Sequence, residues 1–175
     1  AVFVAIAVLT LPPPHHDGTS ILRAIRGGIA YTRRDPGLRA VMTLVILNSF
    51  LAAPFIALVP AMAIKVFDRG AAATSLLTTA QGVGAVVMAL SLGWLAGRFG
   101  SRRTLLAVLG VLPAAIVAYA YAPTLWVSAL TIFVVGLLYL GALSSFMSIA
   151  QLRAPAAVRG RVLSLITMAL GALYP

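Results

Sequence analysis

The sequence holds no cysteine and only three acidic residues in 175, and charged residues of either sign make up 9%. Without cysteine there are no disulfides and no thiolate metal sites. A soluble domain carries roughly 25% charged residues. A chain of this size with so few polar side chains, 62% hydrophobic and with a mean hydropathy of +1.07, could not cover a water-facing surface. Catalytic patterns are missing too: no Ser-His-Asp set, Gly-Lys-Thr phosphate loop or His-Glu zinc pattern occurs. His15-His16 beside Asp17 falls short of a metal pair, because adjacent residues point apart and no further ligand is near. It reads as a solvated turn. No enzyme activity, cofactor or metal is expected.

What is present is long uncharged sequence. A membrane-spanning helix needs about 20 predominantly apolar residues at 1.5 Å each. Ala40–Ile64 and Ala71–Gly97 each supply one span. Thr104–Leu152 is too long for one crossing and divides at Tyr121-Ala122-Pro123-Thr124, where tyrosines suit the interface and a proline suits a helix restart. The halves run near Thr104–Ala120 and Leu125–Ala150. Ala1–Pro14 reads as the end of a cut helix, closed by Pro12-Pro13-Pro14, and Val162–Pro175 as the start of another. The expected fold is all-α: a polytopic membrane helix bundle with four whole spans, seen as a fragment. Pro54 and Pro60 are expected to kink the first whole span, and Gly82, Gly84, Gly93, Gly97, Gly136 and Gly141 to mark close helix approaches.

The net charge of +10 is distributed as a membrane protein requires. Arg23, Arg26, Arg33, Arg34 and Arg39 precede the first whole span, Arg98, Arg102 and Arg103 follow the second, and Arg153, Arg159 and Arg161 follow the fourth. If the spans alternate, these eleven of the thirteen basic residues share one side, and Lys65 and Arg69 lie on the other. The positive-inside rule places the eleven in the cytoplasm. Short clusters between apolar runs suit anionic lipid and exclude a nucleic-acid partner. Between Pro14 and the first span, Ser20 can cap a helix with Ile21, Leu22, Ile25 and Ile29 on one side and arginines on the other, ended by Asp35-Pro36. Such a basic amphipathic helix suits the inner leaflet; a solvated linker that only enforces topology is the alternative.

The second span closes on Gly93-Trp94-Leu95-Ala96-Gly97-Arg98-Phe99-Gly100-Ser101-Arg102-Arg103. This stretch resembles the Gly-x-x-x-Asp-Arg-x-Gly-Arg-Arg loop of the major facilitator superfamily. Gln151, Pro155 and Arg159-Gly160-Arg161-Val162 resemble a second loop of that family, typical of its macrolide and siderophore exporter branch. Arg33-Arg34-Asp35-Pro36 with Leu38-Arg39 also fits. The resemblance implies the C-terminal six-helix half of a twelve-helix fold. Residues 1–14 would end the sixth helix, 15–39 would form the central cytoplasmic loop, and 40–175 would form the C-terminal bundle. It further implies a multi-pass plasma-membrane exporter of small drug-like or siderophore-like amphiphiles, driven by protons and completed by an N-terminal half. A scaffold or a membrane subunit of a primary pump is the alternative; the short Arg98–Arg103 hairpin speaks against the pump.

One departure bears on mechanism. Gly97 stands where the motif expects an acid that latches one transport state. Gly93, Gly97, Arg98, Gly100, Arg102 and Arg103 form the loop motif and candidate gate in expectation, with Arg98, Arg102 and Arg103 chiefly topology anchors. No Asp, Glu, Lys, Arg or His lies within the spans, so no proton-coupling residue is visible there. Asn48 and Gln81 are the strongest polar groups at membrane depth and should face a cavity or another helix.

Overall fold

A computed structural model describes residues 21–51, 54–67 and 70–171. The expected helix end at residues 1–14, the His15-His16-Asp17 turn, the Ser20 cap, the Asp68-Arg69 pair and the last four residues lie outside them, as do the side chains of Ile21, Leu22 and Arg23. Among the described residues every regular element is helical. They are α1 (Ile21–Arg34), α2 (Pro36–Leu51), α3 (Pro54–Ala61), a π-helical turn (Met62–Val66), α4 (Ala71–Phe99), α5 (Ser101–Ala120), α6 (Leu125–Arg153) and α7 (Ala156–Gly171).

Three of these helices, α4, α5 and α6, are long and apolar enough to cross a bilayer. The 29 residues of α4 and of α6 reach about 44 Å, beyond a hydrocarbon core of about 30 Å. Both have length to spare for a last turn, with Arg98 or Arg153, outside the greasy layer. Cations are favoured there because the C-terminal carbonyls are unpaired and electronegative. The first expected span is described as α2 up to Leu51 and as α3 from Pro54, and residues 52 and 53 lie outside the described residues. Pro60 cannot donate to the carbonyl four residues back, and the ladder then widens into the π turn, where the Phe67 N–H donates to the Met62 carbonyl at 3.3 Å. The link between α5 and α6 also differs in detail: Thr124, rather than the proline, caps α6 by accepting from the Val127 N–H at 3.4 Å.

α6 is the central helix. It packs on α4 along one face and α5 along another, while α4 and α5 barely touch beyond their shared turn. Within the most apolar stretch of each, 39% of α6 is buried against 17% of α4. Large apolar side chains elsewhere are fully outward, Leu90 at 81% exposed and Leu130 at 65%. Water would not tolerate such a surface; acyl chains match it. Exposed aromatics mark the two ends, with Trp94 near the α4–α5 turn and Tyr121 and Trp126 at the α5–α6 turn. This is the aromatic belt of a spanning bundle. The fold is an all-α membrane helix bundle.

Packing between α4 and α6 depends on two glycines. A methyl group at Gly84 would overlap the Phe133 carbonyl oxygen, and one at Gly136 would overlap the Gln81 carbonyl oxygen. Backbone touches backbone there, which only glycine permits. At Gly141 the Met88 side chain fills the space instead. Gly82, Gly93 and Gly97 meet nothing within 4 Å among the described residues, so the expected close approaches at these three do not occur there. Gly82 lies two residues from Gly84, hence on the far side of α4.

Candidate functional site

The expected loop motif forms a reversal of one residue. α4 ends at Phe99, α5 begins at Ser101, and Gly100 between them has φ 82° and ψ 142°. This backbone region is open essentially to glycine alone. The Gly100 N–H donates to the Ala96 carbonyl at 2.9 Å, closing α4. Its carbonyl accepts from the Thr104 N–H and the Thr104 hydroxyl, both at 3.1 Å, opening α5. Gly100 thus holds both helix ends.

Arg98 has no acid beside it, since Gly97 occupies that place. Its guanidinium instead stands 5.8 Å from the Trp94 ring centre and 5.9 Å from that of Phe99, and the two rings meet edge to face at 6.2 Å. The cation is held by ring quadrupoles. Trp94 and Phe99 escaped attention in the sequence because an aromatic at an interface is ordinary; the i, i+4 spacing to Arg98 from Trp94 was the signal. Arg102 and Arg103 are exposed. Arg103 also borders an apolar cleft of about 480 Å³ between α4, α5 and α6, with Leu95, Phe99, Thr104 and Leu138.

The second loop motif is a helix break with a clasp. Pro155 separates α6 from α7, and its carbonyl accepts from the Arg159 N–H at 2.9 Å. The Arg159 Nε donates to the Ala154 carbonyl at 3.2 Å, tying the side chain across the break. Arg161 is half-buried and lies against Gly27 and Gly28 of α1. Gln151 and Gly160 are exposed, and nothing lies within 4 Å of a methyl group built at Gly160.

A contact that sequence spacing could not suggest joins this loop to the start of α2. Asp35 caps α2 by accepting from the Leu38 N–H at 2.7 Å, and the same carboxylate oxygen accepts from Arg153 Nη1 at 3.1 Å. Gly37 leaves room for the Arg153 guanidinium, which a methyl group there would strike. The Leu38 N–H holds the Asp35 carboxyl below its ordinary range; partial burial opposes this, and Arg153 adds to it. The arginine-rich stretch before α2 and the loop after α6 are therefore one assembly. The Arg98–Arg103 turn takes no part in it.

α1 is amphipathic as expected, ending at Arg34 with Asp35 at the bend, and Arg26, Arg33 and Arg34 point outward. Its buried face is Gly28 and Thr32, not Ile29, which is 43% exposed. Gly28 brings α1 onto α7, where a methyl group would stand 2.9 Å from the Leu165 side chain.

The two expected pathway residues are not neighbours. Asn48 lines an apolar cleft of about 380 Å³ between α2 and α5, with Leu44, Leu112, Pro113 and Ile116. It is 6% exposed, and among the described residues neither its amide nitrogen nor its oxygen has a partner. A buried amide without hydrogen bonds is costly unless another group can fill the role. Gln81 is half-buried at the α4–α6 crossing, away from that cleft, and there its backbone carbonyl makes the close contact with Gly136. Thr78 satisfies its hydroxyl on the Thr74 carbonyl one turn back at 2.8 Å.

Both ends of the bundle carry cations. Lys65 borders a cleft with Ile116, Tyr119 and Ala120 at the C-terminal end of α5, whereas Arg102 and Arg103 stand at its N-terminal end. Twenty residues of helix, about 30 Å, separate them. Against known proteins, the family of transmembrane secretion effectors matches the chain over residues 4–174. No curated protein and no solved structure matches it.

Proposed function

The chain belongs to the transmembrane secretion effector family of major facilitator-type transporters, and from that premise we propose that it is the C-terminal part of a proton-driven exporter. In this reading the protein moves small drug-like or siderophore-like amphiphiles outward across the plasma membrane by alternating access. The eleven clustered arginines face the cytoplasm, and an N-terminal half completes the cavity. Residues 15–39 are the central cytoplasmic loop in this reading, and residues 40–175 the C-terminal bundle.

Asn48 carries the proposal. Its two unpaired polar atoms border a largely apolar cleft of about 380 Å³, the combination that suits an amphiphile with one hydrogen-bonding group. The spans contain no Asp, Glu, Lys, Arg or His, so the group that carries the proton is assigned outside them. Arg98, Arg102 and Arg103 anchor the turn on the inner side, and the one-residue link at Gly100 transmits tilting of α4 to α5.

The test is export of a fluorescent amphiphile by the full-length protein in efflux-deficient cells. Asn48→Ala should raise dye accumulation several-fold at equal expression, with Gln81→Ala as a second pathway variant. Wild-type accumulation in the Asn48 variant removes that residue from the pathway. Replacing Arg98, Arg102 and Arg103 by Ala separates gating from anchoring: export lost with topology retained means a gate.

A further inference from the structure

Among the described residues Asp35 is the single carboxylate, and Arg153 takes it. Arg33 and Arg39 therefore have no acid to pair with there. Both border one cleft. α1, the start of α2 and α7 enclose about 350 Å³ that these two arginines share with Thr32 and with apolar Ile29, Met42 and Leu165. Thr32 is 6% exposed, and among the described residues its hydroxyl has no partner. A buried hydroxyl in that condition is a donor waiting for an acceptor.

We propose that this cleft binds an anionic phospholipid. The phosphodiester sits between Arg33 and Arg39 and accepts from the Thr32 hydroxyl, while the upper acyl chain follows Met42 and Leu165. Two guanidinium groups with no acid beside them among the described residues match a phosphate in charge and in hydrogen-bond geometry. The polar-to-apolar order along α2 matches a lipid rather than a small soluble anion. Arg39 stands in its first turn, and Met42 and Thr43 lie about one turn further along. Thr43 does not compete for the headgroup, since its hydroxyl donates to the Arg39 carbonyl at 3.0 Å. Basic pockets between helices at the membrane edge are a physical route to headgroup recognition. The site is separate from the Asn48 cleft and does not depend on the export reading.

The full-length protein, purified and exchanged into equimolar phosphatidylglycerol and phosphatidylcholine, is examined by native mass spectrometry. Phosphatidylglycerol should be retained in preference. Arg33→Gln and Arg39→Gln should each lower that preference about fivefold, and the pair about 30-fold. Thr32→Val should lower it without changing charge. Arg34→Gln removes the same charge from an exposed site outside the cleft, and should leave the preference intact. The single variants keep the test decisive if the pair does not fold. Equal retention of the two lipids overturns the proposal, as does an Arg34→Gln effect equal to that of Arg33→Gln, which would mean diffuse attraction. Complete displacement by millimolar glycerol phosphate would make the occupant a free phosphate and overturn it as well.

Discussion

Four glycines stand along α4, but only Gly84 meets the backbone of α6. Substituting them one at a time should split stability by sign. An alanine Cβ at position 84 would overlap the Phe133 carbonyl oxygen and stand 3.0 Å from both the Phe133 carbonyl carbon and the Leu137 nitrogen. One at position 136 would overlap the Gln81 carbonyl oxygen and stand 2.9 Å from its carbon. These neighbours are backbone atoms of regular helix and cannot rotate aside, so the helices must part. Overpacking of this kind costs about 1–3 kcal/mol, and both methyls act at a single crossing. We expect about 2 kcal/mol for Gly84→Ala and the same for Gly136→Ala. The double variant should cost clearly less than the sum, because one separation accommodates both. Gly82→Ala has open space and gains helix propensity, so it should be neutral or stabilising by up to about 1 kcal/mol. The assay is reversible unfolding in mixed micelles at rising dodecyl sulfate fraction, followed through tryptophan emission. Wild-type stability in Gly84→Ala, or equal loss in Gly82→Ala, would refute the crossing.

Three further outcomes follow from the same geometry. Gly100→Ala forces a side chain into a region that L residues rarely occupy, and should destabilise by about 1–3 kcal/mol in the same assay, whereas Gly97→Ala should not. Because the chain has no cysteine, Arg98→Cys and Lys65→Cys can each be labelled alone with a membrane-impermeant maleimide; the two should react from opposite faces of the membrane. Asp35 has a lowered folded-state pKa, so its contribution is present above the ordinary carboxylate range and lost as pH falls through the lowered value. Stability should therefore be flat in Asp35 from pH 7 to pH 5 and decline below about pH 4, and Asp35→Asn should remove that part of the decline.

The long spans were legible because charge interrupts them. Counting uncharged residues set α4 at Ala71–Gly97 and α6 at Leu125–Ala150, and both helices run a turn or less further, to Phe99 and Arg153. The shortfall has a cause: an arginine is welcome in a final helical turn that has left the hydrocarbon, so the charge marks the interface rather than the helix end. The π turn at Met62–Val66 was legible only as a nearby proline, Pro60, that would disturb a helix. Proline announces a missing donor but not whether the ladder bends or widens. The Asp35–Arg153 pair, 118 residues apart, left no trace in either loop taken alone. Trp94 beside Arg98 was within reach of the sequence, by helical spacing.

Solvent preference belongs to each segment separately, which is why sequence was enough to place these helices in lipid. Which face of a helix turns inward belongs to pairs of segments. In water an amphipathic stripe would have revealed it, but α4 and α6 are apolar all round and carry no stripe. Lipid tails are as apolar as leucine, so the inward face is decided by close fit instead. Only the tertiary structure could choose Gly84 over Gly82 for the crossing, and Asn48 over Gln81 for the cleft.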